Sequence, residues 1–166
     1  MTVKTLNDLF AHELSCIHDA EKQLAKAQLR MARAAADTEL AAEFEACQRQ
    51  TRARLEHIEQ MASLCGLHLK RVKCSAMEGL MEEVEDVIHD GERTPVRDAA
   101  LICTAQKIEH HEIACYGTLA TFARHLGYKE ACALLQEALD EKKGSDRKLT
   151  AIAERKSNFE AEVSAI

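Results

Sequence analysis

The chain has 166 residues, of which 46% are hydrophobic and 30% charged, with six Gly, one Pro and a formal net charge of −6 at pH 7. That length suits one domain, the scarcity of Gly and Pro argues against an all-β sandwich, and the apolar content argues against wholesale disorder. The negative charge argues against a nucleic-acid binder. No run approaches the ~20 apolar residues of a membrane span, and Asp8 interrupts the place of a signal-peptide core. We therefore expect a cytoplasmic protein without a membrane partner.

The seven cysteines are scattered through the chain, odd in number and without a C-x-x-C pair. A disulfide or zinc framework would cluster them. We therefore expect most of them to be small buried side chains in a reducing compartment.

Apolar residues recur at helical spacing through nearly the whole chain. In the first half, a helix is predicted over about residues 5–35 with Thr5 as N-cap. A second follows over about 38–65, with Asp37 as N-cap and Gly66 at its end. A short helix over about 76–90 is predicted from the capping-box pattern Ser75–Glu78, with its end near residues 90–91.

The second half predicts two more long helices, over about 95–126 and 129–155. Thr94 and Pro95 give the first of them an N-cap and a proline at the first helical position, and Gly127 ends it. The polar tail after Lys156 is expected to fray. Two helices, a long link and two more helices favour a single all-α domain over residues 1–166, namely a ferritin-like antiparallel four-helix bundle whose crossover holds a short fifth helix.

Four glutamates interrupt the apolar stripes of three of these helices. Glu21 shares a face with Ile17 and Leu24, and spacing places the other three on inward faces as well: Glu109, Glu112 and Glu141. Buried carboxylates repel one another unless cations or protons intervene. Inward carboxylates from a four-helix bundle are also how a paired iron or manganese site is built.

The second long helix offers a different set of inward residues. Its inward face carries Cys47, Gln50, Thr51 and Arg54, with no carboxylate among them. Two hypotheses stay open for Arg54: it reaches the carboxylates and replaces a metal ion electrostatically, or it extends to the bundle edge.

Several segments resemble the YciE/YciF stress-protein family. The resemblance covers nearly the whole chain and is carried by His18–Gln23, Cys74–Leu80, Val96–Ile102, Ala105–Ala114, Tyr116–Leu119 and Leu139–Lys143. It implies a ferritin-like bundle, a homodimer, a bacterial stress response and a carboxylate-rich position for two metal ions. It implies no settled reaction or substrate.

Carried over by this resemblance, the metal-facing residues are Glu21, Glu109, Glu112 and Glu141. Relatives tend to have His and Glu where this chain has Cys47 and Gln50, which remain possible ligands, and an uncharged residue in place of Arg54. Two functions follow. The first is an iron- or manganese-binding protein with an oxidation or peroxide-related role. The second is a metal-free, non-catalytic dimeric stress protein whose core carboxylates are neutralised by Arg54.

Overall fold

The computed structural model describes residues 3–89 and 92–163, and these form helices and connecting segments without a β-strand. The helices are α1 Leu6–Ala34, α2 Thr38–Leu64, α3 Ser75–His89, α4 Pro95–Leu126, α5 Lys129–Ile152 and α6 Asn158–Val163, with a π-helical turn over Ala153–Ser157 between the last two. The prediction of an all-α chain is confirmed. The expected end of the short helix at residues 90–91 lies outside the described residues.

The N-termini of three long helices are capped as the sequence predicts. The Thr5 hydroxyl accepts from the Asp8 amide and the Asp8 carboxylate accepts from the Thr5 amide. Asp37 caps α2 through the Leu40 amide at 2.8 Å, and Thr94 caps α4. These side chains satisfy amides that have no partner within the helix, which explains why the helices begin where they do.

Two glycines follow long helices in the left-handed conformation, with φ of +64° at Gly66 after α2 and +78° at Gly127 after α4. A side chain beyond hydrogen is strained at such angles. Both glycines therefore end their helices as the sequence predicts.

The start of α3 differs by one residue from the capping-box prediction. Ser75 already lies in the helix, and the Cys74 carbonyl accepts the first helical hydrogen bond, from the Glu78 amide at 3.0 Å. Cys74 is therefore the capping residue, and Ser75 occupies the first turn.

The expectation of a frayed tail after Lys156 is wrong for the described residues. The chain continues through the π-helical turn into α6, and Ser157 is buried. Lys156 pairs with Asp37, and Arg155 pairs with Glu39 at 2.6 Å. These ion pairs join the tail to the start of α2, an interaction that periodicity alone does not reveal.

The four long helices pack in a closed cycle, α1 on α2, α2 on α5, α5 on α4 and α4 on α1, and α3 packs across α1 and α4. Asp98 on α4 joins the cycle to the α1–α2 turn, because its carboxylate accepts from the amides of Ala36 and Asp37, both at 2.8 Å. The apolar core contains large side chains such as Phe10, Leu101 and Met77. Among the described helices, none is both long and apolar enough to cross a membrane.

Candidate functional site

Five charged residues are buried together between the four long helices, each at most 3% exposed as a whole residue. We call them the charged core group, which consists of Glu21 on α1, Arg54 on α2, Glu109 and Glu112 on α4, and Lys142 on α5. Because burying a charge is costly unless it is paired, the contacts within this group decide what it can do.

Arg54 connects α1, α2 and α5. Its Nε donates to Glu21 Oε1 at 2.8 Å, its second nitrogen donates to Glu141 at 2.9 Å, and its third to the Thr51 hydroxyl at 2.9 Å. The Tyr116 hydroxyl also donates to Glu21 Oε1, at 2.5 Å. Of the two hypotheses for Arg54, its insertion among the carboxylates is therefore the one that the structure supports.

Lys142 holds the two carboxylates of α4. Its Nζ lies 2.6 Å from Glu112 Oε2 and 3.6 Å from Glu109 Oε1, and its side chain is 1% exposed. Sequence reasoning missed this residue. A signal existed, because Lys142 follows the buried Ala138 by four residues and precedes the buried Ser145 by three, which is the inward spacing of a helix.

Glu141, predicted to face inward, lies at the edge of the charged core group. Its side chain is 36% exposed, and its contact is the 2.9 Å hydrogen bond from Arg54. The inward position of this turn belongs instead to Lys142, so α5 contributes a cation where the sequence predicted a carboxylate. Glu141 nevertheless contacts the charged core group through Arg54, while Lys142 is one of its members.

The two predicted ligands from α2, Cys47 and Gln50, differ in burial and in their contacts. Cys47 is buried beside the group, and its thiol contacts the Ser145 hydroxyl at 3.8 Å and the Glu43 carboxylate at 3.7 Å. Burial, together with the charge of Glu109, raises the pKa of Cys47 to about 11, which keeps it a thiol near neutral pH. Gln50 is half-buried and makes no side-chain hydrogen bond within the described part of the chain.

Glu21 is the carboxylate best held in its charged form. Burial acts to raise its pKa, but the charges of Arg54 and Lys142 and the Tyr116 hydrogen bond outweigh burial and lower it. Burial likewise acts against the charge of Arg54 and of Lys142, but the neighbouring carboxylates raise the pKa of both. The two cations are therefore permanent charges.

Glu109 and Glu112 respond in the opposite direction. Burial raises the pKa of Glu109, and burial with the charge of Glu21 raises that of Glu112 well above its usual range, although Lys142 opposes both shifts. Three buried carboxylates face two buried cations, so one proton held by this α4 pair makes the group neutral. Oε2 of Glu109 and both oxygens of Glu112 have no hydrogen-bond partner among the described residues, although Glu112 Oε2 is ion-paired with Lys142, and either carboxyl can carry that proton.

The residues as arranged do not fit a pair of metal ions. Ammonium and guanidinium nitrogens lie within hydrogen-bonding distance of Glu112 and Glu21, on oxygens that would otherwise be free to ligate. Within residues 3–89 and 92–163, no three His, Cys, Asp or Glu side chains converge closely enough to hold an ion.

Comparisons with known proteins place the chain in a family. Residues 5–162 match the model of a domain of unknown function, DUF892. The chain belongs to the DUF892 family. Its sequence is 49% identical over 163 residues to protein YciF of Escherichia coli K12, covering 98% of both chains. The predicted resemblance to the YciF stress proteins is confirmed.

Two solved structures of similar proteins share the fold. The crystal structure of the E. coli stress protein YciF matches with a TM-score of 0.91 and 48% identity, covering 94% of this chain and 99% of that one. A putative structural protein from Rhodopseudomonas palustris, YcfI, matches with a TM-score of 0.83 and 33% identity, covering 89% and 94%. This DUF892 chain is thus related to a stress protein over nearly its whole length.

Proposed function

We propose that this DUF892 chain is a non-catalytic, metal-free stress protein of the ferritin-like bundle type, in which two side-chain cations stabilise the carboxylates of the core. The observation that carries the proposal is the position of Lys142, buried with its Nζ at 2.6 Å from Glu112 and 3.6 Å from Glu109. Arg54 likewise pairs with the carboxylates of Glu21 and Glu141. The description of YcfI as a putative structural protein agrees with such a role.

The physical argument rests on charge compensation. A metal ion in a carboxylate cluster supplies positive charge that offsets repulsion and desolvation. In this chain Arg54 and Lys142 supply two positive charges from covalently attached side chains, at distances typical of buried ion pairs. A divalent ion placed among the same oxygens would have to displace at least one of them and leave a buried cation without a partner.

The competing hypothesis is an iron- or manganese-binding protein with an oxidation or peroxide-related role. The partner-free oxygens of Glu109 and Glu112 are the feature in its favour, because ligands often look unsatisfied when their metal is absent. The raised pKa of both carboxyls supports a different account, in which a proton on one of these oxygens removes the charge that burial disfavours. This second explanation requires no movement of Lys142.

The decisive experiment measures metal content. The protein is loaded anaerobically with Fe(II), and in parallel with Mn(II), dialysed extensively and analysed by plasma mass spectrometry, with circular dichroism recorded on the same sample. We expect near zero metal per chain in a folded protein. Two ions per chain, lost in the variant Glu109→Gln, would overturn the proposal and establish the metal-binding hypothesis.

A paired variant sharpens the experiment. Lys142→Ala removes the ammonium from the α4 carboxylates, while Lys143→Ala alters the neighbouring exposed residue on the same helix. Gain of bound metal by Lys142→Ala alone would mean that Lys142 blocks an otherwise competent carboxylate site. Metal retained by wild type and by both variants would contradict the role proposed for Lys142.

We also propose that the protein acts as a homodimer through its surface. The support is the family resemblance. Light scattering coupled to size exclusion, at several loading concentrations, tests the dimer directly. A mass of 18.5 kDa, that of one chain, at every concentration would contradict it.

A further inference from the structure

A second cluster of reactive side chains lies apart from the charged core group. The His111 ring nitrogen Nε2 is 3.8 Å from Cys74 Sγ and 3.8 Å from Cys115 Sγ. Cys16 lies on α1 one turn before Asp19, whose carboxylate accepts from the Cys74 amide at 2.9 Å. Two of the seven cysteines therefore contact one histidine, and a third, Cys16, lies on the neighbouring turn of α1.

The chain segment before α3 is held against α1 at this point. The Lys70 amide donates to the Ser15 hydroxyl at 3.0 Å, and the Cys74 amide donates to the Asp19 carboxylate at 2.9 Å. These contacts place Cys74 beside the turn of α1 that carries Cys16. The two cysteines come from segments 58 positions apart in sequence, so a covalent bond between them would tie the crossover to the first helix.

Cys74 differs chemically from its neighbours. It caps the N-terminus of α3 and contacts His111 Nε2 at 3.8 Å. Burial acts to raise the pKa of Cys74, but the His111 contact and the nearby backbone amide of Met77 outweigh burial and lower it. Burial raises the pKa of Cys16 to about 12 and that of Cys115 to about 11. Cys74 is thus the one thiol of the three whose anion is favoured.

We propose that Cys74 and Cys16 form a peroxide-sensitive thiol pair, in which Cys74 is oxidised first and Cys16 then closes an intramolecular disulfide. The assignment rests on the contact of Cys74 with His111, on the capping position of Cys74 and on the hydrogen bonds that hold the segment from Lys70 to Cys74 against the turn of α1 that carries Cys16. Cys115 and His111 are its neighbours and are not consumed.

The chemistry balances with hydrogen peroxide as the oxidant. The Cys74 thiolate attacks one peroxide oxygen, the O–O bond breaks, and hydroxide leaves to give a sulfenic acid. Part of what raises the pKa of Cys16 is the hydrogen bond and charge interaction with Cys74, and both change once Cys74 is a neutral sulfenic acid. The Cys16 sulfur then displaces the sulfenic hydroxyl as water. Overall, two thiols are oxidised and one peroxide is reduced to two waters.

Burial of Cys74 makes the first oxidation step selective for small oxidants. Cys74 is 3% exposed, whereas Cys103 is exposed and lies outside the cluster. A bulky maleimide should therefore label Cys103 well before Cys74, while peroxide should react at Cys74. This reversal of order distinguishes a favoured thiolate from simple accessibility.

The test is disulfide mapping by peptide mass spectrometry on the full chain, treated with a small excess of hydrogen peroxide and then alkylated. We expect a Cys16–Cys74 linked peptide as the main product, reversed by dithiothreitol. The linkage should disappear in Cys16→Ser, with a trapped sulfenic acid on Cys74 detectable by dimedone. Cys132→Ser serves as the matched control and should keep the linkage.

Three outcomes would overturn the proposal. One is a main linkage between other cysteines, including Cys74–Cys115. Another is oxidation confined to the exposed Cys103. The third is stoichiometric zinc that protects these thiols, because Cys and His also bind zinc, although no three such residues in the described ranges converge to hold an ion. The mapping uses wild-type protein, so its result does not depend on the folding of any variant.

Discussion

Lys142 and Glu112 meet in the core with Nζ and Oε2 2.6 Å apart, and neither side chain is more than 1% exposed. The Glu112 carboxylate belongs to α4 and the ammonium to α5, so this ion pair joins two helices at the place where Glu109 and Glu112 project one turn apart. Without the ammonium, those two carboxylates would face each other in a medium that screens charge poorly. The pair therefore supports the packing of α4 on α5.

Removing the ammonium should destabilise the protein at neutral pH. We predict that Lys142→Met lowers the free energy of unfolding at neutral pH by about 3–5 kcal/mol, because it leaves a buried carboxylate unpaired. Urea unfolding monitored by circular dichroism measures the loss. Lys143→Met, on the exposed neighbouring position, should unfold at the wild-type midpoint. Equal stability of Lys142→Met and wild type would show that the ion pair does not form.

Arg54 should prove equally important on the opposite side of the group. We predict that Arg54→Ala costs about 3–5 kcal/mol, since it leaves the fully buried Glu21 without its guanidinium partner. Arg49→Ala, on an exposed position of the same helix, is the matched control. The double variant Arg54→Ala/Glu21→Gln should lose less free energy of unfolding than the sum of the two single variants, because each single variant already breaks the same Arg54–Glu21 interaction. Additive losses would contradict a direct coupling.

Much of the fold could be predicted from local chemistry. Thr5, Asp37 and Thr94 cap helices where the sequence places them, and Gly66 and Gly127 end helices, because each signal depends on residues within one turn. The continuation past Lys156 could not be predicted in this way. It depends on ion pairs with the start of α2, which lie more than a hundred residues away in sequence.

The charged core group was predicted in part. Glu21, Glu109 and Glu112 were found because carboxylates interrupt an apolar stripe, and Arg54 was found as the one cation on the inward face of α2. The sequence did not predict Lys142, because lysine is so rarely fully buried that inward spacing alone does not indicate a buried lysine. The reason for its burial is the pair of carboxylates on α4, which only the packing of α4 on α5 brings to it.

The Tyr116 hydroxyl should contribute through Glu21. Its hydrogen bond to Glu21 Oε1 is 2.5 Å long and fully buried, and hydrogen bonds to charged groups contribute more than neutral ones. We predict that Tyr116→Phe lowers the free energy of unfolding by about 1.5–3 kcal/mol. Tyr128→Phe removes a half-buried hydrogen bond from the tyrosine hydroxyl to the uncharged side-chain oxygen Oδ1 of Asn7. This variant should cost less, about 0.5–1.5 kcal/mol. A larger loss from Tyr128→Phe would contradict this order.

Glu112 should make the protein less stable as the pH rises. Burial, with the charge of Glu21, raises the pKa of Glu112 in the folded chain, so the folded state binds a proton that the unfolded state has released. Below the ordinary glutamate pKa, Glu112 is protonated in both the folded and the unfolded state, and its effect on stability does not change with pH. Above that pKa, the free energy of unfolding falls as the pH rises, until the pH passes the folded-state pKa of Glu112. The lowered pKa of Glu21 acts in the opposite sense, since its contribution is present at neutral pH and is lost on acidification.

The variant Glu112→Gln separates these effects. Its stability relative to wild type should improve as the pH rises from about 5 to 8, by at most about 1.4 kcal/mol for each pH unit below the folded pKa. Urea unfolding at several pH values measures this slope, with Glu82→Gln as the control on an exposed position. A stability difference that stays constant with pH would mean that Glu112 is ionised throughout, with Lys142 alone carrying its compensation.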